Sequence, residues 1–546
     1  MGKEVTEGIS RRNFLKGAAV AGAAGIIGAA VTGCSGGSTS STPSSSIKWD
    51  KDSDIVVLGT GAAGLCAAIT GSRAGAKVLV LEKAPEAEQG GNTRVSGNAW
   101  TGAKDHDKAM KYYTFCSERT DDNDYLDALV TATLTFNKDF LSTMPDMNIQ
   151  EYAGFSPEDK SIPGGDGIQS WTNGGAANAQ LWNSLRKGAD QCDNIEWMYE
   201  TPGVRLITDS TGAAIGIVAK SNGNEINVKA KKGVIIACGG YEFNPQMIEN
   251  SYPGWPVYSR GTPYNTGDGI IMAQKAGAGL WHMNASDSGG GAVICKGLNF
   301  GNGNYDSDSV AANCSLTMAS TRSQGFVLLN KHGKRFMPED RPDAHGYGRR
   351  EYYFWYDGVN FEWPNLPMWV FFDDQQAKSG AICSGKATNT LFTWFTAYSN
   401  YEWSKDNSAE VKKGWILQGN SAADLAKQMN VDAATLQATL DTYNGFASGG
   451  NDADYGRAAN TMRPLTAPFY AVQIYPNQYN TQGGPKRNSK AQTLDSFGNP
   501  IPRLYNCGEC GAGYGWVYNG GWNNCEAMVT GVWAATDAAS LDSWAK

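Results

Sequence analysis

The sequence predicts an α/β fold built on a parallel sheet, and three observations carry the prediction. Asp54-Ile55-Val56-Val57-Leu58 is a short β-branched run that leads straight into Gly59-Thr60-Gly61-Ala62-Ala63-Gly64. A second apolar run, Lys77 to Leu81, ends on an acid, Glu82. Two later runs, Gly233-Val234-Ile235-Ile236-Ala237 and Leu504-Tyr505-Asn506, open into Cys238-Gly239-Gly240 and Cys507-Gly508-Glu509. Continuous apolar runs of this length are read as strands buried on both faces.

The first strand, its glycine turn and a helix expected from Ala62 to Gly75 form a Rossmann-like dinucleotide fingerprint. Gly59 permits the tight turn, Gly61 lets the backbone approach a pyrophosphate, and Gly64 allows helix and strand to pack closely. The anion would rest on the helix N-terminus at Ala62 and Ala63, where free N–H groups converge. Glu82 lies about twenty residues further on, where a carboxylate accepts both ribose hydroxyls of an adenosine and disfavours a 2′-phosphate. A lone glycine fingerprint is weak evidence; here the strand, the helix and the acid are all in place. The turn Gly90-Gly91-Asn92-Thr93 offers backbone donors beside the rest of a long cofactor. Widely separated strand ends, including those at Gly240 and Glu509, converge on one extended ligand, which points to FAD rather than NAD.

The chain begins with an address. Ser10-Arg11-Arg12-Asn13-Phe14-Leu15-Lys16, an apolar stretch from Gly17 to Val31, and Thr32-Gly33-Cys34 read as a twin-arginine signal ending at a lipoprotein cleavage site. Residues 1–34 are therefore set apart from the fold, with Cys34 the expected lipid anchor. The protein is expected to be exported to the extracytoplasmic face of a bacterial cell membrane. Residues 35–47, rich in Ser, Gly, Thr and Pro, read as a flexible tether. The folded body begins near Lys48.

With 46 Lys and Arg against 54 Asp and Glu the chain carries a net charge of −8, which argues against nucleic acid as a partner. Of its 11 cysteines only Cys507 and Cys510 are close together, and Gly511 stands where a haem attachment needs histidine. The four histidines, His106, His282, His332 and His345, accompany no paired cysteine, so no metal is expected. Cys507 and Cys510 are left as either a buried or a disulfide-linked pair.

Together these residues resemble the soluble fumarate reductase and succinate dehydrogenase flavoprotein family, including its 3-ketosteroid dehydrogenase and urocanate reductase relatives. Further markers are Glu82-Lys83, Thr266-Gly267-Asp268-Gly269, Gly325 to Phe336, and Gly508 to Gly521, so that the resemblance runs from Asp54 to about Ala538. It implies noncovalent FAD and adds Lys83 and Asp268 to the cofactor candidates. It also implies an α+β capping domain inserted in the FAD-binding domain. By position, residues 48–299 form the first part of the FAD-binding domain, 300–430 the cap and 431–546 the return. Within the cap, Gly325 to Asn330 and Gly333 to Phe336 read as two strands around a turn. Pro338 to His345 forms a charged loop suited to a substrate cleft, and the aromatic residues between Tyr352 and Trp369 read as cap core. Ser421 to Ala426 and Asp432 to Tyr443 read as capped amphipathic helices.

The resemblance also implies roles at the substrate. The carboxylate-clamping arginine is retained as Arg322, whereas a nearby family glutamate falls on Ala319. The proton-donating arginine falls near Asp343, with Arg341 available if the loop is two residues shorter, and Glu339 or Asp343 would relay its proton. A family histidine is replaced by Asn480, and a carboxylate-binding arginine by Tyr518. Fumarate is thus a poor fit. Tyr518-Asn519-Gly520-Gly521 is more similar to the ketosteroid dehydrogenase ending, where a phenol polarises a carbonyl as negative charge develops on its oxygen. The candidates are Arg341, Tyr518 and His345 for proton delivery, and Arg322, Tyr514 and Asn480 for substrate binding. The expected reaction is FAD-dependent reduction of an activated carbon–carbon double bond, in an aromatic acrylate or cyclic enone. Electrons would come from a membrane cytochrome or another quinol-linked donor. A 3-ketosteroid-like dehydrogenase running the opposite half-reaction is the nearest rival, and a non-catalytic flavin electron-transfer module a more distant one.

Overall fold

The computed structural model describes residues 47–117, 123–175, 179–259, 261–287, 291–293, 324–340, 351–382, 403–513 and 517–545. Its larger sheet has a parallel centre of β1 (Lys51–Leu58), β2 (Val78–Leu81), β3 (Ile195–Met198), β4 (Asn224–Ile236) and β5 (Pro500–Asn506), in the order β5-β4-β1-β2-β3. Alternate residues of the continuous apolar runs enter opposite cores. Ile55, Val57, Val78 and Val80 join one cluster, Val56, Leu58, Leu79 and Leu81 the other. Period-two alternation with both faces covered explains why these strands lack an exposed polar face.

Helix α1 (Ala62–Arg73) follows β1, and helix α2 (Trp522–Ser540) packs against it. Small residues permit the close approach: a Cβ on Gly531 of α2 would lie 2.3 Å from Ala63 O. Helix α1 stops at Arg73 rather than Gly75. There Gly75, at φ +83°, reverses the chain, its N–H bonding Ser72 O while that of Ala76 bonds Gly71 O.

The second sheet forms the core of the inserted α+β cap. Phe326–Asn330 pairs antiparallel with Met368–Asp373, which pairs with Phe469–Gln478, itself flanked by Ile416–Gly419. Phe326, Leu328, Val370 and Phe372 face one apolar cluster, and Val327, Leu329, Trp369 and Phe371 the other. Helices Ala422–Met429 and Ala433–Gly449 cover the latter face. Their N-caps are Ser421, accepting from Asp424 N, and Asp432, accepting from Thr435 N.

Three cap expectations change. The cap does not end at residue 430, because its strand Phe469–Gln478 and its covering helix Ala433–Gly449 lie beyond that limit. Gly333 to Phe336 is not a second strand: the turn at Gly333 leaves only the bridge between Leu329 and Arg335, and the ladder partner of Phe326–Asn330 is Met368–Asp373. The reason is Arg335, whose buried guanidinium turns into an ion cluster with Glu339 and Asp452. The aromatic stretch divides, with Tyr353 and Trp369 buried but Trp355 and Phe361 exposed. Among the described residues no helix is long and apolar enough to cross a membrane.

Candidate functional site

A cleft opens at the carboxyl ends of the parallel strands. Ten of the sequence candidates line it: Gly59, Gly61, Ala62, Ala63, Glu82, Lys83, Gly91, Asn92, Asp268 and Glu509. Gly64, Gly90 and Gly240 are not part of that lining. The glycines differ in what a side chain would meet. At Gly59, with φ +104°, a Cβ would lie 2.4 Å from Ala237 O, and at Gly64 one would lie 2.0 Å from Gly59 O. At Gly61 the nearest atoms, Gly90 O and Thr93 Oγ1, are 3.8 Å away. Packing therefore demands glycine at the first two positions, whereas the third keeps cleft space clear.

The first-turn amides of α1 have no intrahelical acceptors. Thr93 Oγ1 takes the Ala62 N–H at 3.1 Å, and the first turn holds no acidic residue. This arrangement fits an anionic group. At the end of β2 the buried Glu82 accepts the Thr60 N–H at 3.0 Å through Oε2 and the Ala84 N–H at 2.8 Å through Oε1. Thr60 also receives the Gly90 N–H on its hydroxyl, so the two glycine turns are joined. Lys83 and Asp268 pair with each other at 2.7 Å on the cleft wall, and Thr266 Oγ1 accepts from the same ammonium.

Beyond the glycine turns lies a polar layer in which the expected Asn92 and Glu509 meet Glu242 and Asn265, which the sequence did not reveal. Asn92 donates to Glu242 and Glu509, while Asn265 also donates to Glu242. Asn523 and Asn524 line the cleft from the first turn of α2, just past Gly520-Gly521. A glycine pair preceding a helix was the signal available for those two; Glu242 has no comparable signal. Behind the Gly508 turn, buried Arg487 donates to Gly508 O at 3.0 Å and to the Tyr125 hydroxyl at 2.9 Å, and pairs with Glu526. His282 stacks on Trp281, its Nδ1–H donating to Ala512 O at 2.7 Å, and burial pushes its pKa down to about 4.

Arg322, Arg341, His345 and Tyr514 lie outside the described residues. Asn480 is buried, and its Oδ1 accepts from Gln482 Nε2 at 2.6 Å. Tyr518 is buried in an apolar cluster with Tyr112, Tyr113 and Trp522. Neither lines the cleft. Glu339 is fully buried, its oxygens accepting from Arg335, Arg457 and the Leu328 N–H. It is a structural counter-ion rather than a proton relay. Cys507 and Cys510 are separate buried thiols, each pushed by burial up to about 12.

Comparison with known proteins agrees with this geometry. Residues 8–32 match the twin-arginine translocation pathway signal sequence, which marks the protein for export. The chain is 26% identical to the digoxin reductase of Eggerthella lenta, covering 99% of this chain and 98% of that one. It is 25% identical to the urocanate reductase of the same organism, covering 90% and 78%. The crystal structure of 3-ketosteroid delta1-dehydrogenase from Sterolibacterium denitrificans has a similar fold, with a TM-score of 0.69 at 20% identity over 90% of this chain and 99% of that one. Residues 54–524 match the FAD binding domain family, and with its dinucleotide cleft the chain belongs to that family as an FAD-dependent oxidoreductase.

Proposed function

We propose that the protein reduces a carbon–carbon double bond conjugated to a carbonyl, in an aromatic acrylate or cyclic enone rather than fumarate. One observation carries this reading. Where the resemblance expects a histidine and an arginine, the protein has buried neutral side chains, Asn480 and Tyr518, which are 2% and 7% exposed. Replacing a guanidinium by a phenol removes a permanent charge but keeps a directional donor, which suits a carbonyl or phenolic oxygen better than a second carboxylate. Relatives named for the reduction of digoxin and urocanate support the same class.

FAD, held noncovalently, supplies hydride chemistry when bound. In this reading the turn from Gly59 to Gly64 receives the pyrophosphate and Glu82 the ribose. Lys83, Gly90, Gly91, Asn92, Gly240, Asp268 and Glu509 shape the remaining wall. Arg322 anchors an anionic tail where the substrate has one. Tyr514 and Asn480 contribute to substrate binding. Arg341, Tyr518 and His345, in that order, are assigned to deliver the proton to the carbon opposite the hydride. With Glu339 committed to the arginine cluster, Asp343 becomes the carboxylate assigned beside Arg341. The protein is further proposed to be lipidated at Cys34 and to draw electrons from a quinol-linked membrane cytochrome.

The opposite half-reaction, a ketosteroid-like dehydrogenation, is the second reading, favoured by Tyr518-Asn519-Gly520-Gly521. Anaerobic stopped-flow separates roles from scaffold. Tyr518→Phe and Arg341→Lys should each slow substrate-driven flavin reoxidation by about ten-fold to a thousand-fold while FAD stays bound. Unchanged rates in both variants would remove these two assignments.

A further inference from the structure

Glu242 lies two residues beyond Gly240, at the exit of β4, and is 2% exposed. Its Oε1 accepts from Asn92 Nδ2 at 2.7 Å and from Asn265 Nδ2 at 2.8 Å. Its Oε2 lies 3.4 Å from Thr481 Oγ1, which accepts the Tyr241 N–H at 2.9 Å. The neighbouring backbone is shaped around this carboxyl: a Cβ on Gly240 would stand 2.7 Å from Glu242 Oε2.

The orientation of Asn92 is fixed independently. Its Oδ1 accepts the Thr262 N–H at 3.0 Å, so its two amide hydrogens serve Glu242 Oε1 and, at 3.1 Å, Glu509 Oε2. One neutral NH2 group thus stands between two carboxyls, and both Asn92 and Glu509 line the cleft.

Among the described residues no lysine or arginine contacts Glu242. Lys83 is committed to Asp268 and Thr266. Arg94, on the same short helix as Asn92, donates to the carbonyls of Ala87 and Gln89. The Tyr264 hydroxyl, beside Asn265, donates to Glu88. Across Asn92, Glu242 faces the carboxyl of Glu509.

We propose that Glu242 is a positioning residue of the FAD site that works as a neutral acid, and that its ionisation weakens FAD binding. The inference rests on the proposed cofactor roles of Asn92 and Glu509. In the neutral acid Oε1 is a carbonyl oxygen that accepts both amide donors, and the Oε2 hydroxyl donates to Thr481 Oγ1. Asn92 then bears on a single carboxylate, Glu509. Ionisation places a buried negative charge beside the cleft, which must hold an anionic dinucleotide.

Burial pushes the Glu242 pKa from 4.5 up to about 7, against the opposing effect of its hydrogen bonds. The folded state therefore holds the proton more tightly than the unfolded one. The contribution of Glu242 to stability falls as pH rises from 4.5 to about 7 and is then constant. FAD affinity follows the neutral form, level below pH 7 and falling above it.

The test is titration of the FAD-free protein with FAD between pH 6 and 9, by flavin fluorescence and by calorimetry in buffers of different ionisation enthalpy. Wild-type Kd should approach a rise of about ten-fold per unit above the Glu242 pKa, with one proton taken up per FAD at pH 8. Glu242→Gln keeps the acceptor at Oε1 and a donor toward Thr481, so its Kd should be level with pH and its proton uptake absent. Its FAD-free form should also be more stable than wild type at pH 8. A pH-independent wild-type Kd without proton uptake overturns the proposal, as does an unaltered pH profile in Glu242→Gln. The wild-type calorimetry decides the matter even if the variant does not fold. Undiminished FAD binding by Gly61→Val would instead remove the cofactor placement on which the inference rests.

Discussion

Gly59, Gly61 and Gly64 share one turn, yet a side chain at each meets a different obstacle. A Cβ at Gly64 runs into the Gly59 carbonyl at 2.0 Å, whereas one at Gly61 stays 3.8 Å from any protein atom. Two variants should therefore fail differently. Gly64→Ala should lower the melting temperature of the FAD-free protein. Gly61→Val should leave that temperature within a few degrees of wild type but abolish the flavin absorbance of the purified protein. Full FAD occupancy in Gly61→Val would contradict the placement. The fingerprint and Glu82 were legible because tight turns restrict residue type locally. Glu242 was not, since its role arises from contacts with Asn92 and Thr481, 150 and 239 residues away in sequence.

At the scale of elements, strands buried on both faces declared themselves as continuous apolar runs, and the helix caps at Ser421 and Asp432 fell where the sequence put them. The partner of Phe326–Asn330 did not, because Met368–Asp373 is distant in sequence while Gly333 to Phe336 adjoins it and has a suitable turn. What decides between them is a buried polar cluster. Arg335 bonds Glu339 and Asp452, and Arg457 bonds Glu339 and Phe326 O. The same cluster fixes Glu339 immediately before Asp340, which accepts from Ala458 N at 2.8 Å and so ties the start of the charged loop to a second segment. Arg457→Met leaves two buried acids to share one guanidinium, and urea unfolding should show a loss of about 3–5 kcal/mol. A loss below about 1 kcal/mol would show that the cap does not depend on this cluster.

At the scale of the whole molecule, export and cofactor chemistry fit together. The twin-arginine route carries folded proteins, which allows FAD to be taken up before the protein leaves the cytoplasm. Outside the membrane there is no NADH pool, so a membrane electron donor is the natural complement of the proposed reductase. The neutral Asn480 and Tyr518 set its expected substrate apart from a dicarboxylate. The most direct measurement uses chemically reduced, FAD-loaded protein under anaerobic conditions, mixed separately with fumarate, urocanate, aryl acrylates and ketosteroid enones. Flavin reoxidation reports the rate, and product mass reports the hydrogens gained. The account predicts fast reoxidation by an aromatic acrylate or cyclic enone, a product heavier by two hydrogens, and little response to fumarate. Rapid turnover of fumarate with none of any aromatic or cyclic substrate would contradict it.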